Sequence, residues 1–129
     1  MITADTRLRA ALAPFHLELA ILFGSMARGS ARADSDLDIA VQDTKPLDTA
    51  QRIAMVEALA LEFSRPVDLI DLRTVGEPLL GRILAEGRRI LGSNSAHGAL
   101  LYHHLVEQHD FVPLQQRILK GRQDAWLRR

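Results

Sequence analysis

The stretch from Gly24 to Asp38 reads GSMARGSARADSDLD, and it is the most informative segment of the chain. It begins with a Gly-Ser pair and ends with two aspartates, Asp36 and Asp38, spaced i, i+2. A nearly continuous apolar run (17–23) precedes it, and a second apolar run (37–41) contains the later aspartate. Apolar runs of this length on either side of a small polar loop predict two strands joined by a tight connection.

The first part of this stretch has the composition of a phosphate-binding turn. Gly24 lets the backbone approach a ligand, Ser25 supplies a hydroxyl, and the free N–H groups of a helical turn attract an anion. We expect Ser25 to cap a short helix that runs to Arg28 and ends at Gly29. Arg28 is either a phosphate contact or a solvated loop arginine, and Gly-Ser pairs also end many ordinary strands. A Walker A loop is excluded because no lysine follows the glycines.

The second part has the composition of a metal site. In a strand spanning 36–42, Asp36 and Asp38 share one face and lie about 6.6 Å apart along the chain. Their like charges repel, so the pair costs free energy unless a cation neutralises it. Mg²⁺ is bound by one or two carboxylates together with phosphate oxygens. The stretch therefore predicts a Mg²⁺–nucleotide between its two parts, and the alternative is a solvated strand end.

A third carboxylate follows in the predicted strand 67–72, where Asp68 lies within an apolar run. Its apolar neighbours face the core, so Asp68 faces the other side, and a buried or half-buried aspartate there needs a partner. A metal shared with Asp36 and Asp38 would supply that partner. Asp71 is ranked second as the third carboxylate, because it lies nearer the strand end, where it can be solvated.

The whole chain predicts one α/β domain, with a sheet covered by helices. The expected helices are 6–13, 25–28, 49–63, 77–87 and 96–111, and the expected strands are 17–23, 36–42, 67–72 and 88–91. The domain comprises residues 1–129, with a core at about 15–92 and a C-terminal helical extension at 93–129. Apolar residues assigned to helix faces or to the core are Ile53, Val56, Leu59, Ala60, Leu100, Leu101, Leu105 and Phe111.

Composition narrows the class of protein. The chain has 129 residues, 16 basic and 16 acidic, so its formal net charge is zero, and it has no cysteine. We expect no direct nucleic-acid binding, because that affinity usually requires a basic excess. No apolar run approaches a membrane span, and the N-terminus lacks the apolar segment of a secretory signal. A cytoplasmic location is expected, and a disulfide framework is excluded.

These motifs resemble the DNA polymerase β-like nucleotidyltransferases: Gly-Ser, ten residues, Asp-x-Asp, and a third aspartate in a later strand. The runs ILFGSMARG (21–29) and VDLIDL (67–72) are similar to the minimal (MNT) branch of that family. The run ILAEGRRIL (83–91) and the closing helix are similar to MNT antitoxins, which are encoded beside HEPN-domain toxin ribonucleases. The resemblance covers residues 17 to about 111.

The resemblance implies the nucleotidyltransferase fold, an α/β (α+β) domain with a small mixed β-sheet packed by helices and a C-terminal helical segment. It also implies that Gly24 and Ser25 bind the phosphates of ATP and that Asp36 and Asp38 hold two Mg²⁺ ions. Asp68 would complete one metal site and accept the proton of the attacking hydroxyl. The implied reaction transfers AMP to a tyrosine hydroxyl of a HEPN toxin, within a hetero-oligomer.

Two other functions stay open. One is an antitoxin that acts only by binding and occluding its toxin, and the other is nucleotide transfer to a small molecule such as an aminoglycoside. The amphipathic tail 114–129 packs on this domain or on a partner, and we favour a partner because its apolar residues otherwise lack cover. The histidines at 97, 103, 104 and 109 are interpreted as surface or interface residues rather than as a zinc site.

Overall fold

A computed structural model describes residues 2–107 of the chain. Its helices are α1 (Ala4–Leu12), α2 (Gly24–Arg28), α3 (Thr49–Phe63), α4 (Leu79–Glu86) and α5 (residues 94–107), and its strands are β1 (Leu19–Phe23), β2 (Leu37–Gln42), β3 (Val67–Asp71) and β4 (Arg88–Gly92). The described bounds agree with the predicted ones to within two residues. Within residues 2–107, no helix is long and apolar enough to cross a membrane. The predicted end of the last helix at Phe111 and the tail 114–129 lie outside the described residues.

The four strands form one mixed sheet in the order β3-β2-β1-β4, which confirms the predicted α/β class. β1 is antiparallel to both of its neighbours, β2 and β4, whereas β2 and β3 are parallel. Parallel strands need a crossover connection, and α3 supplies it. As a consequence, the last residue of β1 and the first residues of β2 and β3 lie at the same end of the sheet.

The centre of the sheet is apolar on both faces. Leu19, Ala20, Ile21 and Leu22 of β1 are all buried, as a nearly continuous apolar strand predicts. β2 contributes four further buried apolar residues between positions 37 and 41. The only residue of β2 before Gln42 that escapes full burial is Asp38, which is half-buried. A polar side chain is thus placed at the beginning of an otherwise apolar central strand.

Helix α3 begins at the predicted residue. The Asp48 side chain accepts the backbone N–H of Gln51, while the Gln51 side chain accepts the N–H of Asp48, so the two form a capping box. The residues that α3 buries are Met55, Leu59 and Phe63.

The predicted apolar face of α3 was partly wrong. Leu59 is buried, but Ile53 is 53% exposed, and Val56 and Ala60 are only half-buried. Ile53 and Leu59 are six residues apart, which places them about 120° apart around the helix axis. The buried stripe instead follows i, i+4, i+8 spacing through Met55, which the sequence prediction left out.

Helix α5 begins at residue 94, two residues before the predicted start, and the Ser93 hydroxyl accepts the N–H of Ala96 at 3.0 Å. One structural unit of the chain ends at His97, and a second begins at Gly98. Of the helical residues in the second unit, Leu100 is buried, whereas Leu101 and Leu105 are exposed. Their assignment to the core was therefore wrong, since this i, i+4 pair lies on a different face from Leu100. That the whole chain forms one domain stays a prediction.

Candidate active site

The candidate site begins where β1 passes directly into α2. Gly24 is the first residue of α2 and has a φ of +72°, a conformation that L side chains rarely adopt. The expectation that Ser25 caps this helix was wrong: Phe23 is the N-cap residue, no side chain caps the helix, and Ser25 lies inside it. The helix starts one residue early because Gly24 makes the sharp turn itself. The predicted end is confirmed, since the N–H of Gly29 donates to the Ser25 carbonyl at a φ of +73°.

Gly24 packs directly against the side chain of Asp38. A Cβ atom added at position 24 would clash with Oδ2 of Asp38. It would also lie 2.9 Å from Cγ and 3.1 Å from Cβ of Asp38. Such separations leave no space for a methyl group. The two parts of the segment 24–38 therefore meet in space, because the backbone of Gly24 contacts the carboxylate of Asp38.

The sheet places a second carboxylate beside Asp38. In the strand register, Asp38 of β2 lies opposite Phe23 of β1 on one side and Asp68 of β3 on the other. Asp36 comes one residue before β2 begins. The structure therefore brings together the three aspartates that the sequence singled out.

The exposure of these aspartates differs from the prediction in one case. Asp38 is half-buried and Asp36 is exposed, but Asp68 is exposed rather than buried or half-buried. The prediction for Asp68 was wrong because β3 is the outermost of the described strands, so within residues 2–107 it has a neighbouring strand on one side only. An exposed carboxylate at this edge remains accessible to a ligand.

The three carboxylates interact electrostatically. Partial burial raises the pKa of Asp38 above its usual value of 3.8, the negative charges of Asp68 and Asp36 raise it further, and the positive charge of Arg28 lowers it. Ionisation of Asp38 thus costs more free energy in the folded chain than in the unfolded chain. A cation bound among these carboxylates would relieve that penalty.

No three His, Cys, Asp or Glu side chains within residues 2–107 converge into a ready-made metal site. Asp68 and Asp36 are near enough to Asp38 to raise its pKa, and the positive charge of Arg28 offsets this effect only in part. The chemistry of these three aspartates suits a hard divalent cation, which prefers carboxylate oxygens. The donor set therefore fits Mg²⁺, and the shift in the pKa of Asp38 shows that the carboxylates share one neighbourhood.

Arg28 lies between the carboxylates and a further acidic residue. It is exposed, and its Nη1 lies 3.4 Å from Oε2 of Glu86, the last residue of α4. Arg88 donates to the carbonyl of Ala27 at 3.5 Å and pairs with Asp5 through two nitrogens. The sequence prediction missed Glu86 and Arg88, since they lie about sixty positions from α2 and no local pattern links them.

Asp71 is not solvated, contrary to the expectation from its place near the strand end. It is only 3% exposed, and its carboxylate accepts the backbone N–H groups of Leu47 and Arg73, each at 2.8 Å. These bonds tie the segment before α3 to the end of β3. Asp71 therefore has a structural role, whereas Asp68 is the accessible carboxylate in register with Asp38.

Exchanging each of these two aspartates for alanine should separate the roles. Asp68→Ala should lower the rate of the reaction proposed below by at least about 100-fold, without lowering the melting temperature. Asp71→Ala should leave the Leu47 N–H buried without an acceptor and cost about 1–3 kcal/mol of unfolding free energy. Urea unfolding and rate measurements on both variants provide the check. Loss of activity without loss of stability in Asp71→Ala would reverse the assignment.

The fold and the arrangement of the candidate site are those of a nucleotidyltransferase family. The chain belongs to the polymerase beta nucleotidyltransferase family, whose model matches residues 9–96. This confirms the family that the motifs predicted.

Within the family, the chain is similar to the protein adenylyltransferase MntA of Shewanella oneidensis, with 35% identity over 77 residues. That match covers 60% of this chain and 55% of MntA, so the chain spans about half the length of this relative. It is also similar to the crystal structure of a toxin-antitoxin with AMP-PNP, with 25% identity and a TM-score of 0.79 over 92% of this chain and 98% of that one. A third similar structure is that of a tri-AMPylated Shewanella oneidensis HEPN toxin in complex with an MNT antitoxin. The matched chain of that complex is 24% identical, with a TM-score of 0.72 over 91% of this chain and 93% of the matched one, and the similarity supports the fold.

Proposed function

We propose that this chain is a Mg²⁺-dependent protein adenylyltransferase that transfers AMP from ATP to a hydroxyl group of a HEPN toxin and thereby neutralises it. The observation that carries the proposal is the contact of Gly24 with Asp38, together with Asp68 in register beside it. A turn that can approach a phosphate and carboxylates that suit Mg²⁺ are the two parts that nucleotidyl transfer needs. The similarity to MntA supports the choice of AMP as the transferred group.

Three residues are assigned to the triphosphate of ATP. The N–H groups of Gly24 and Ser25 face the open end of a helical turn, where an anion is favoured. Arg28 is exposed and close enough to lower the pKa of Asp38, so its guanidinium can reach a phosphate beside the carboxylates. Its ion pair with Glu86 is solvated, so exchanging that partner for a phosphate costs little.

Asp36, Asp38 and Asp68 are assigned to two Mg²⁺ ions. When bound, these ions would neutralise the carboxylates and stabilise the charge on the entering and leaving oxygens at the α-phosphate. Asp38 is held in place by Gly24, and the exposed Asp68 accepts the proton of the acceptor hydroxyl. The hydroxyl oxygen then bonds to the α-phosphorus as the bond to the leaving pyrophosphate breaks.

The acceptor is assigned to a protein rather than to a small molecule. A tyrosine hydroxyl of a HEPN toxin is the proposed acceptor, and the two proteins would form a hetero-oligomer. The similarity to toxin-antitoxin structures supports this partner, including one with AMP-PNP. A cytoplasmic location, where ATP is supplied, is part of the proposal.

Incubation with ATP labelled in its α-phosphate, Mg²⁺ and the HEPN partner should label the partner. The double variant Asp36→Ala/Asp38→Ala should transfer no label and should fail to neutralise the toxin in growth assays. Neutralisation by a folded double variant would instead establish an antitoxin that acts by binding alone. Label transfer to an aminoglycoside, with none to the protein, would establish the small-molecule alternative.

A further inference from the structure

The loop that leads into Asp36 is held by Arg65, which lies on the connection between α3 and β3. Nη1 of Arg65 donates to two backbone carbonyls of this loop, those of Arg32 and Ser35, the latter at 3.1 Å. Arg65 itself is half-buried, whereas residues 28–34 of the loop are all exposed. The half-buried Arg65 side chain therefore restrains a loop whose own residues are mostly exposed and pack little.

The same connection holds the chain on the far side of Asp36. The N–H of Leu37 donates to the carbonyl of Pro66 at 2.8 Å, next to Arg65 in sequence. Asp36 thus lies between one residue bonded to Arg65 and one bonded to Pro66. Within the loop, Ser35 closes a tight turn, because its N–H donates to the Arg32 carbonyl at 3.1 Å and its hydroxyl accepts the Arg32 N–H at 2.8 Å.

Arg65 bonds to the residue before Asp36, and this restraint matters because Asp36 itself lies outside the sheet. β2 begins at Leu37, so Asp36 lies outside the strand, unlike Asp38 and Asp68, which face each other in the ladder. Hydrogen bonds from a charged donor are stronger than neutral ones, which suits a single side chain to this task. Both hydrogen bonds of Arg65 go to backbone carbonyls, so Arg65 acts on Asp36 through the backbone.

We propose that Arg65 is a positioning residue that sets Asp36 for Mg²⁺ binding by holding the loop carbonyls of Arg32 and Ser35. This inference rests on the proposed function, which makes Asp36 a metal ligand. Because β3 begins two residues after Arg65, the same connection also leads to Asp68. It therefore places two of the three carboxylates relative to each other.

Arg73 provides a matched control at the other end of β3. It also donates to a loop carbonyl, that of Asp43, at 2.8 Å, and it pairs with Glu18 at 2.8 Å. Both arginines therefore hold a loop that flanks β2, but Arg73 does so at the end away from the carboxylates. If the Mg²⁺ requirement rises merely because a loop loses an arginine contact, it should rise in both Arg65→Ala and Arg73→Ala.

The test compares Arg65→Ala, Arg65→Lys and Arg73→Ala in the full chain. Mg²⁺ titrations are followed by the rise in melting temperature, which needs no acceptor, and by the rate of label transfer from ATP. Arg65→Ala should require about 10- to 100-fold more Mg²⁺ for half of either effect, the usual loss for residues that orient metal ligands. Arg65→Lys should show a smaller shift in the same direction, and Arg73→Ala should match the unmodified chain.

Equal Mg²⁺ requirements in folded Arg65→Ala and in Arg73→Ala would overturn the inference. If Arg65→Ala does not fold, an unchanged Mg²⁺ requirement in Arg65→Lys would overturn it instead. A failure of the proposed function gives a different result, since the unmodified chain would then transfer no label while the thermal titrations of the variants still report on Arg65. A parallel shift in melting response and rate would support the inference.

Discussion

Alanine at position 24 is expected to lower the rate of adenylyl transfer by about 100-fold or more, the usual result of displacing a reacting group by about 1 Å. The new methyl group would clash with Oδ2 of Asp38. Rotation of the carboxylate alone does not clear it, because the Cβ of Asp38 is also only 3.1 Å away. Asp38 must therefore shift from its present position in register with Asp68.

Gly29→Ala is the matched control for this effect. Gly29 has nearly the same φ, +73° against +72°, but nothing lies within 4 Å of an added Cβ. Both variants should lose about 1–2 kcal/mol of unfolding free energy from the left-handed backbone alone. Only Gly24→Ala should also lose most of its activity. Urea unfolding and label transfer measure the two quantities, and similar rates in the two variants would contradict a role for the Gly24–Asp38 contact.

Local patterns predicted the parts of the site that adjacent residues determine. The spacing of Asp36 and Asp38, the apolar run of β1 and the end of α2 at Gly29 each depend on neighbours within a few positions. Apolar runs specify strands because burial requires them, and a left-handed helix end favours glycine. These predictions agreed with the structure to within two residues.

Properties that depend on distant contacts were not predictable in the same way. Asp71 is buried because the N–H of Leu47, 24 positions earlier, needs an acceptor, and nothing in the run around Asp71 indicates this. Asp68 is exposed because β3 is the outermost of the described strands, which follows from the order of all four. Arg65 and Glu86 likewise act on residues 30 or more positions away.

Asparagine at position 38 is expected to raise the melting temperature of the metal-free chain at neutral pH and to abolish its response to Mg²⁺. Asp38 is half-buried beside two other carboxylates, which raise the pKa of its own carboxyl. Asparagine has nearly the same shape but carries no charge, so it keeps the packing against Gly24 and removes the repulsion. The gain in stability equals the stability that the native chain loses by keeping a charged Asp38 for cation binding.

The direction of the pH dependence follows from the raised pKa. A carboxyl whose pKa is higher in the folded chain than in the unfolded chain favours folding while it is protonated. That contribution is complete below the usual value of 3.8 and is lost as the pH rises through the pKa of folded Asp38. The advantage of Asp38→Asn should therefore be greatest at neutral pH and should shrink as the pH falls towards 3.8.

Thermal unfolding with and without Mg²⁺ measures both parts of this prediction. In the unmodified chain, Mg²⁺ should raise the melting temperature, since a ligand that binds only the folded state stabilises it. Asp34→Asn serves as the control, because it removes one charge from an exposed position of the loop that precedes the site. It should change neither the melting temperature nor the response to Mg²⁺. A lower melting temperature for Asp38→Asn at neutral pH would mean that Asp38 stabilises the fold rather than being held there for binding.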